Sequence, residues 1–90
     1  MSTAVTVPSL VKIGELSKSS GLSIKTIRYY EDLDLIQAVK RTKGGFRLFE
    51  EKTTLMRLQF IKQAQRLGMS LEEIRQILEV RDRGELPCQD

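Results

Sequence analysis

One eight-residue pattern occurs twice in this chain, and it restricts the possible folds more than any other feature. Residues 21–28 are Gly-Leu-Ser-Ile-Lys-Thr-Ile-Arg, and residues 68–75 keep the same skeleton as Gly-Met-Ser-Leu-Glu-Glu-Ile-Arg. A glycine in this place ends one helix in the left-handed conformation, and the serine two residues later caps the next helix. Apolar residues at the first and fourth positions after the serine turn that helix inward. Each copy therefore predicts a sharp helix-turn-helix.

Length and composition fit one small domain. The 90 residues are 40% hydrophobic and 30% charged, and a chain of this size buries about 60–65% of its unfolded surface. With no histidine and one cysteine, Cys88, an intrachain disulfide, an intrachain zinc cluster and a histidine-based triad are excluded. The first ten residues lack the features of a signal peptide, and no stretch is apolar enough to cross a bilayer. We expect a soluble cytoplasmic protein with no membrane partner.

The positive charge is concentrated in the first half of the chain. The net charge is +3 and the pI is near 9.2. Residues 1–47 contain eight Lys or Arg against four Asp or Glu, whereas residues 48–90 contain seven against eight. The first copy of the repeat carries Lys25 and Thr26 where the second carries Glu72 and Glu73. The first copy suits an anionic partner, and the second is interpreted as a capped support.

The spacing of apolar residues predicts four helices. Their expected positions are residues 13–19, 23 to about 32, about 51 to 67, and 70 to between 81 and 84. Ser70 and Glu73 have the spacing of a capping box at the start of the fourth helix. The residues expected to face the core include Ile13, Leu16, Ile24, Ile27, Phe60, Ala64, Leu67, Leu71, Ile74, Ile77 and Leu78.

A short β-hairpin is predicted between the second and third helices. Residues 39–41 and 46–49 alternate in character on either side of Thr42-Lys43-Gly44-Gly45. A polar Gly-Gly turn between two such runs is typical of a hairpin. Its cations are Lys40, Arg41, Lys43 and Arg47. The predicted fold class is mainly α: a winged helix-turn-helix of four helices with a small β-hairpin wing.

The second helix and the wing together favour DNA binding. Lys25 and Thr26 lie in the first helical turn, where backbone N–H groups also attract phosphate, and Arg28 adds a planar fork of donors. Tyr29 and Tyr30 point about 100° apart, so at most one faces DNA and the other belongs to the core. Taken alone, the helix is more typical of a solvated surface, and the wing of a lysine-protected edge. A basic helix followed at once by a basic wing favours DNA.

The order of these motifs resembles the DNA-binding domain of the MerR family of bacterial transcription regulators. The likeness covers roughly residues 12–81 and lies in residues 13–16, 21–23, 26–31, 44–49 and 67–74. It implies a winged helix-turn-helix that binds as a dimer to a pseudo-palindrome inside a promoter. The two polymerase-binding elements of such a promoter are too far apart, and family members activate by distorting the spacer. RNA polymerase at the promoter is thus a second implied partner, beside double-stranded DNA.

The resemblance also implies roles for individual residues. The recognition helix and its flank would be formed by Ser23, Lys25, Thr26, Arg28, Tyr29 and Tyr30. The wing tip would be Gly45, Phe46 and Arg47, and a second wing would contribute phosphate contacts from Lys62 and Arg66. Lys43, one of the wing's cations, is added to the expected DNA-binding residues from its charge. Phe46 and Phe49 stand where the family often has tyrosines, so phosphate contacts there fall to Arg47 or to the backbone.

The chain is expected to divide into an arm, a domain and a tail. Residues 1–11 are expected to be a flexible arm, residues 12–83 the DNA-binding domain, and residues 84–90 the start of a missing dimerisation helix or a C-terminal tail. Family regulators continue into a long coiled-coil helix and a sensing region, so a homodimer is expected only if such a helix follows. Cys88 lies near a ligand position of metal-sensing members, but one thiol cannot form a metal site. We expect no metal or other cofactor, and a location at the nucleoid of the bacterial cytoplasm.

Two other functions fit the same residues. An excisionase-like architectural protein shares this small winged form and bends DNA without recruiting polymerase. A protein-interaction module would instead use the acidic residues 71–79 to dock a partner. An enzyme is disfavoured, because no carboxylate pair, nucleophile with base, or phosphate-binding loop occurs at a workable spacing.

Overall fold

The computed structural model describes residues 9–83. Within them the elements are β1 (Leu10–Val11), α1 (Ile13–Ser20), α2 (Ile24–Asp32), β2 (Lys40–Arg41), β3 (Arg47–Glu50), α3 (Glu51–Arg66) and α4 (Leu71–Asp82). This order confirms the predicted fold class, a mainly α winged helix-turn-helix with four helices. The predicted helix limits agree with the structure to within about a residue at most ends.

Both glycines of the repeat end a helix in the left-handed conformation, as predicted. Gly21 has φ +80°, and its N–H donates to the Ser17 carbonyl at 3.0 Å, which closes α1 with a single bond. Gly68 has φ +97°, and the N–H groups of Gly68 and Met69 both donate to carbonyls of the last turn of α3. The second arrangement is the Schellman motif. The same residue pattern thus makes two tight turns with different hydrogen bonds.

The wing is a three-stranded antiparallel sheet in the order β1-β3-β2. The predicted hairpin pairs Lys40 with Leu48 across β2 and β3. On the other edge of β3, Val11 pairs with Phe49 and is itself buried. Strand β1 was not predicted, and it brings residues 10–11 of the expected arm into the folded domain. Residues 1–8 of that arm, and the whole expected tail 84–90, lie outside the described residues.

One apolar core holds the four helices and the sheet together. Its buried side chains are Val11, Leu16, Ile27, Tyr30, Leu35, Ile36, Phe49, Leu58, Ile61, Ala64, Ile74 and Leu78. Arg57 of α3 adds a polar link, because it forms an ion pair with Asp82 of α4 and donates to the Leu35 carbonyl at 3.3 Å. The core therefore fixes α2 and the wing relative to the second helix pair.

Three residues that were expected in the core are exposed. Leu67 is 84% exposed, and Ile24 and Ile77 also lie on the surface. Ile24 is the first residue of α2, and Leu67 directly follows the last residue of α3, so both lie at helix ends. Ile77 lies within α4 beside the buried Leu78 and is 43% exposed. The prediction was wrong for these three residues because a three-residue spacing does not show where the covered part of an apolar face ends.

Candidate nucleic-acid interface

The first turn of α2 is organised by its capping serine. Ser23 Oγ accepts a hydrogen bond from the Thr26 N–H at 3.1 Å and donates its own proton to Thr26 Oγ1 at 2.9 Å. Because Thr26 Oγ1 accepts the Ser23 proton, the hydrogen of the Thr26 hydroxyl remains available to an outside acceptor. Ser23 and the neighbouring Lys25 are exposed. The start of α2 therefore presents hydrogen-bond donors and a positive charge to the solvent.

Beyond the first turn, α2 separates its two tyrosines. Tyr29 is 53% exposed, whereas Tyr30 is buried and donates from its hydroxyl to Gln65 Oε1 of α3 at 3.3 Å. Burial raises the pKa of Tyr30, and the adjacent Tyr29 raises it further. The sequence named Tyr30 among the DNA-binding residues, but the structure places it in the core. Its part is to anchor α2 on α3 while Arg28 and Tyr29 face outward.

A cleft of about 330 Å³ separates α2 from the wing. Lys12, Arg28, Arg41 and Arg47 line it together with a single carboxylate, Glu31. Arg47 Nη1 donates to Glu31 Oε1 at 2.9 Å. In residues 9–83 the structure shows no side-chain partner for Arg28 or Arg41. The cleft therefore concentrates positive charge between the helix and the wing, as a phosphate backbone requires.

The wing tip presents an aromatic ring and a tight turn. Gly45 has φ +89°, a conformation that favours glycine, and Lys43 beside it is exposed. The Phe46 ring is exposed, with Lys12 Nζ 4.6 Å from its centroid, a distance typical of a cation–π contact. Lys12 was missed as a site residue. It directly follows the unpredicted strand β1, whose pairing with β3 brings Lys12 beside the wing.

The second cationic group lies on α3. Lys62 and Arg66 are exposed and line a groove of about 380 Å³ together with Ser19 and Ser20 at the end of α1. Leu22, which lies in the turn leading to α2, lines the same groove. The fold thus brings the two predicted phosphate-contacting residues next to the first helix-turn-helix, although they are at least 30 residues away along the chain.

The second copy of the repeat is acidic, and its charged side chains pair with groups of the same helix. Ser70 Oγ accepts from the Glu73 N–H at 3.1 Å while Glu73 Oε1 accepts from the Ser70 N–H at 2.9 Å, which confirms the capping box. Arg75 Nη2 pairs with Glu72 Oε2 at 2.7 Å. This hydrogen bond and the charge of Arg75 lower the pKa of Glu72. Its carboxylate therefore stays ionised, and this surface repels phosphate.

Two further findings concern other kinds of site. Between residues 9 and 83 no helix is long and apolar enough to cross a membrane. In the same residues no group of three or more His, Cys, Asp or Glu side chains is placed to hold a metal ion. Cys88 lies outside the described residues.

An exposed basic helix, a basic wing beside it and a capped second helix pair define a winged helix-turn-helix domain of the DNA-binding class. A model of the MerR HTH family of regulatory proteins matches residues 11–80. The chain belongs to this family.

Similar proteins are regulators of the same family. The chain is 47% identical over 79 residues to the mercuric resistance operon regulatory protein of Bacillus cereus, covering 88% of this chain and 59% of that protein. It is 45% identical over 82 residues to the transcriptional regulator ZntR of Escherichia coli K12, covering 90% and 57%. The chain thus spans less than two thirds of the length of both relatives.

Solved structures share the fold. The regulator PbrR691 of Ralstonia metallidurans, solved with lead(II), matches with a TM-score of 0.74 and 42% identity over 87% of this chain and 60% of its own. HiNmlR, a MerR family regulator that lacks the sensor domain, was solved bound to promoter DNA. It matches with a TM-score of 0.71 and 26% identity over 81% of this chain and 57% of its own.

Proposed function

We propose that this domain is the DNA-binding part of a transcription regulator that binds a specific double-stranded sequence in a promoter spacer and acts by distorting it. The observation that carries the proposal is the cleft between α2 and the wing, where Arg28, Arg41 and Arg47 lie together. Cations on two adjacent elements match two adjacent features of a duplex, a groove and its phosphate backbone. The similar regulator bound to promoter DNA supports the same class of ligand.

In the proposed complex α2 enters the major groove, which is wide enough for a helix. Lys25, Thr26, Arg28 and Tyr29 face the base edges and the nearest phosphates, and Ser23 positions the first turn. The wing lies on the adjacent backbone through Arg47, Lys43 and the turn at Gly45 and Phe46. Lys62 and Arg66 contact phosphates on the far side of α2. Affinity is then largely electrostatic and falls as salt increases.

The remaining parts of the proposal concern partners and location. By its family, the regulator works with RNA polymerase at a promoter, within the nucleoid of the bacterial cytoplasm. Two domains bind two half-sites when a coiled-coil helix follows the described residues, so a dimer binds more tightly than one domain. We assign no catalytic role to the domain, since its charged residues are arranged for binding.

Binding is tested with a fluorescein-labelled duplex that the wild-type chain enriches from a randomised pool. We expect Arg28→Gln to weaken binding about tenfold, the scale of a lost base or phosphate contact. The matched control is Arg81→Gln, which removes the same charge from an exposed residue of α4 beside Arg57 and Asp82. Equal losses for both variants, or none for Arg28→Gln, would contradict the proposal.

Distortion of the duplex is tested by energy transfer between a donor and an acceptor fluorophore on the two duplex ends. If the chain selected recombination sites in place of promoter spacers, the architectural alternative would be favoured.

A further inference from the structure

One ion pair connects the recognition helix to the wing. In residues 9–83, the bond from Arg47 Nη1 to Glu31 Oε1, 2.9 Å long, is the direct polar contact that the structure shows between α2 and the β2–β3 hairpin. The Glu31 side chain is 14% exposed, whereas that of Arg47 is 46% exposed. The carboxylate is thus held against the protein, while the guanidinium lies at the rim and has further N–H groups for another acceptor.

The charge of Glu31 is unexpected at this place. It is the one carboxylate among the residues that line the cleft, beside Lys12, Arg28, Arg41 and Arg47. A negative charge at a surface that binds a polyanion opposes binding by Coulomb repulsion. By charge alone, the cleft would bind DNA better without Glu31. Its presence therefore needs a compensating effect, and the contact with Arg47 offers one.

We propose that Glu31 is a positioning residue for DNA binding, an inference that rests on the proposed function of the domain. Its carboxylate holds the Arg47 guanidinium, and through it strand β3 of the wing, at a fixed place beside α2. The helix and the wing then meet the groove and the adjacent phosphates as one preformed surface. Without Glu31, the Arg47 guanidinium is no longer held at this place, so its phosphate contact is lost and affinity falls.

The test is the substitution Glu31→Gln, which keeps the shape of the side chain and removes its charge. We expect affinity for the enriched duplex to fall about twofold to fivefold, the scale of a partly exposed charged pair. The plot of log affinity against log salt, from about 50 to 200 mM, should become shallower by about one, because one phosphate contact is lost. A merely structural role would leave this slope unchanged.

The matched control is Asp32→Asn, on the next residue of α2. Asp32 is exposed and, in residues 9–83, the structure shows no partner for it. Its neutralisation gives the same change in net charge, so binding should stay equal or become tighter. If Glu31→Gln also tightened binding, Glu31 would be an electrostatic penalty only, and the positioning role would be rejected.

A double-mutant cycle with Arg47→Gln tests the route of the effect. If Glu31 acts through Arg47, then Glu31→Gln causes no further loss in the Arg47→Gln background. A loss of equal size in both backgrounds would overturn the proposal, and thermal unfolding shows whether each variant is folded. The two proposals fail separately: no loss for Arg28→Gln rejects the proposed function, whereas loss for Arg28→Gln with tighter binding for Glu31→Gln rejects only the positioning role.

Discussion

Tyr29 and Tyr30 are neighbours in the chain with opposite environments. Their ring centroids are 6.1 Å apart, yet one ring is exposed and the other belongs to the core. The helical angle between neighbouring positions predicts that they differ. It does not predict the partner of Tyr30, because Gln65 lies on another helix 35 residues away. Local geometry thus predicts that at most one tyrosine faces outward, and the packing of α2 on α3 leaves Tyr29 exposed and gives Tyr30 its hydrogen bond.

The burial of Tyr30 makes stability depend on alkaline pH. Its pKa is raised above the ordinary value of 10.0, so the protonated phenol stabilises the folded state. This contribution is complete below about pH 10 and is lost as the pH rises through the pKa of the folded state. Tyr29→Phe leaves Tyr30 as the sole tyrosine of a chain without tryptophan. We expect its tyrosinate absorbance to appear at higher pH than in the same variant unfolded in urea. Coinciding titrations, with circular dichroism showing the native fold, would contradict this.

At the scale of elements, the two capping serines have the same local role and different surroundings. Ser23 caps α2, whose first turn exposes Lys25, whereas Ser70 caps α4, whose first turn contains Glu72 and Glu73. The capping pattern is readable from sequence because it depends on residues only three positions apart. The sequence also indicates which of the two helices suits an anionic partner, because the first copy has Lys25 where the second has Glu72.

The two caps give a matched pair of substitutions. We expect Ser70→Ala to reduce the free energy of unfolding by about 1 kcal/mol, which lowers the melting temperature by roughly 4–8 °C in a domain of this size. Its DNA affinity should not change. Ser23→Ala should cost similar stability and also weaken DNA binding, since it releases the Thr26 hydroxyl from its fixed position. Thermal unfolding and fluorescence anisotropy measure the two effects. An equal loss of affinity in both variants would show that the effect comes from stability alone.

Elements with a period or a cap were predictable, and those formed by distant pairing were not. Four helices and the hairpin follow from apolar spacing, glycines and serines. Strand β1 has two residues and pairs with β3 almost 40 positions later, so the sequence contains no periodic signal for it. Lys12 and the Glu31–Arg47 pair were missed for the same reason. The candidate site was therefore predictable in its helix and in its cations other than Lys12, but not in the contacts that hold the helix and the wing together.

For the whole molecule, the arrangement of charge indicates which surface would face DNA in the proposed complex. The net charge of +3 is too small to identify a ligand, but the fold brings several cations and several carboxylates to different grooves. Cations gather in the cleft beside the wing and in the groove next to α1. On the α4 side of α2, a third groove is lined by the carboxylates Asp32, Asp34 and Glu72, together with Arg75, which pairs with Glu72. Contacts from the second helix pair should therefore come from α3, because the start of α4 repels phosphate.

This arrangement predicts that position, and not total charge, determines affinity. Replacing both Lys62 and Arg66 with Gln removes two exposed cations from the groove beside the first helix-turn-helix. We expect the slope of log affinity against log salt to fall by about two, with weaker binding to every duplex tested, because phosphate contacts carry no sequence information.

The control for this pair removes the same two charges elsewhere. Arg81→Gln combined with Lys52→Gln neutralises two exposed cations of α4 and of the first turn of α3. Long-range attraction falls equally in both double variants, so its effect cancels in the comparison. If the control pair reduced the slope as much as the Lys62 and Arg66 pair, DNA would be responding to net charge, and α3 would have no contact of its own. A loss limited to Lys62 and Arg66 places the duplex along the α1–α3 groove as well as in the cleft by the wing.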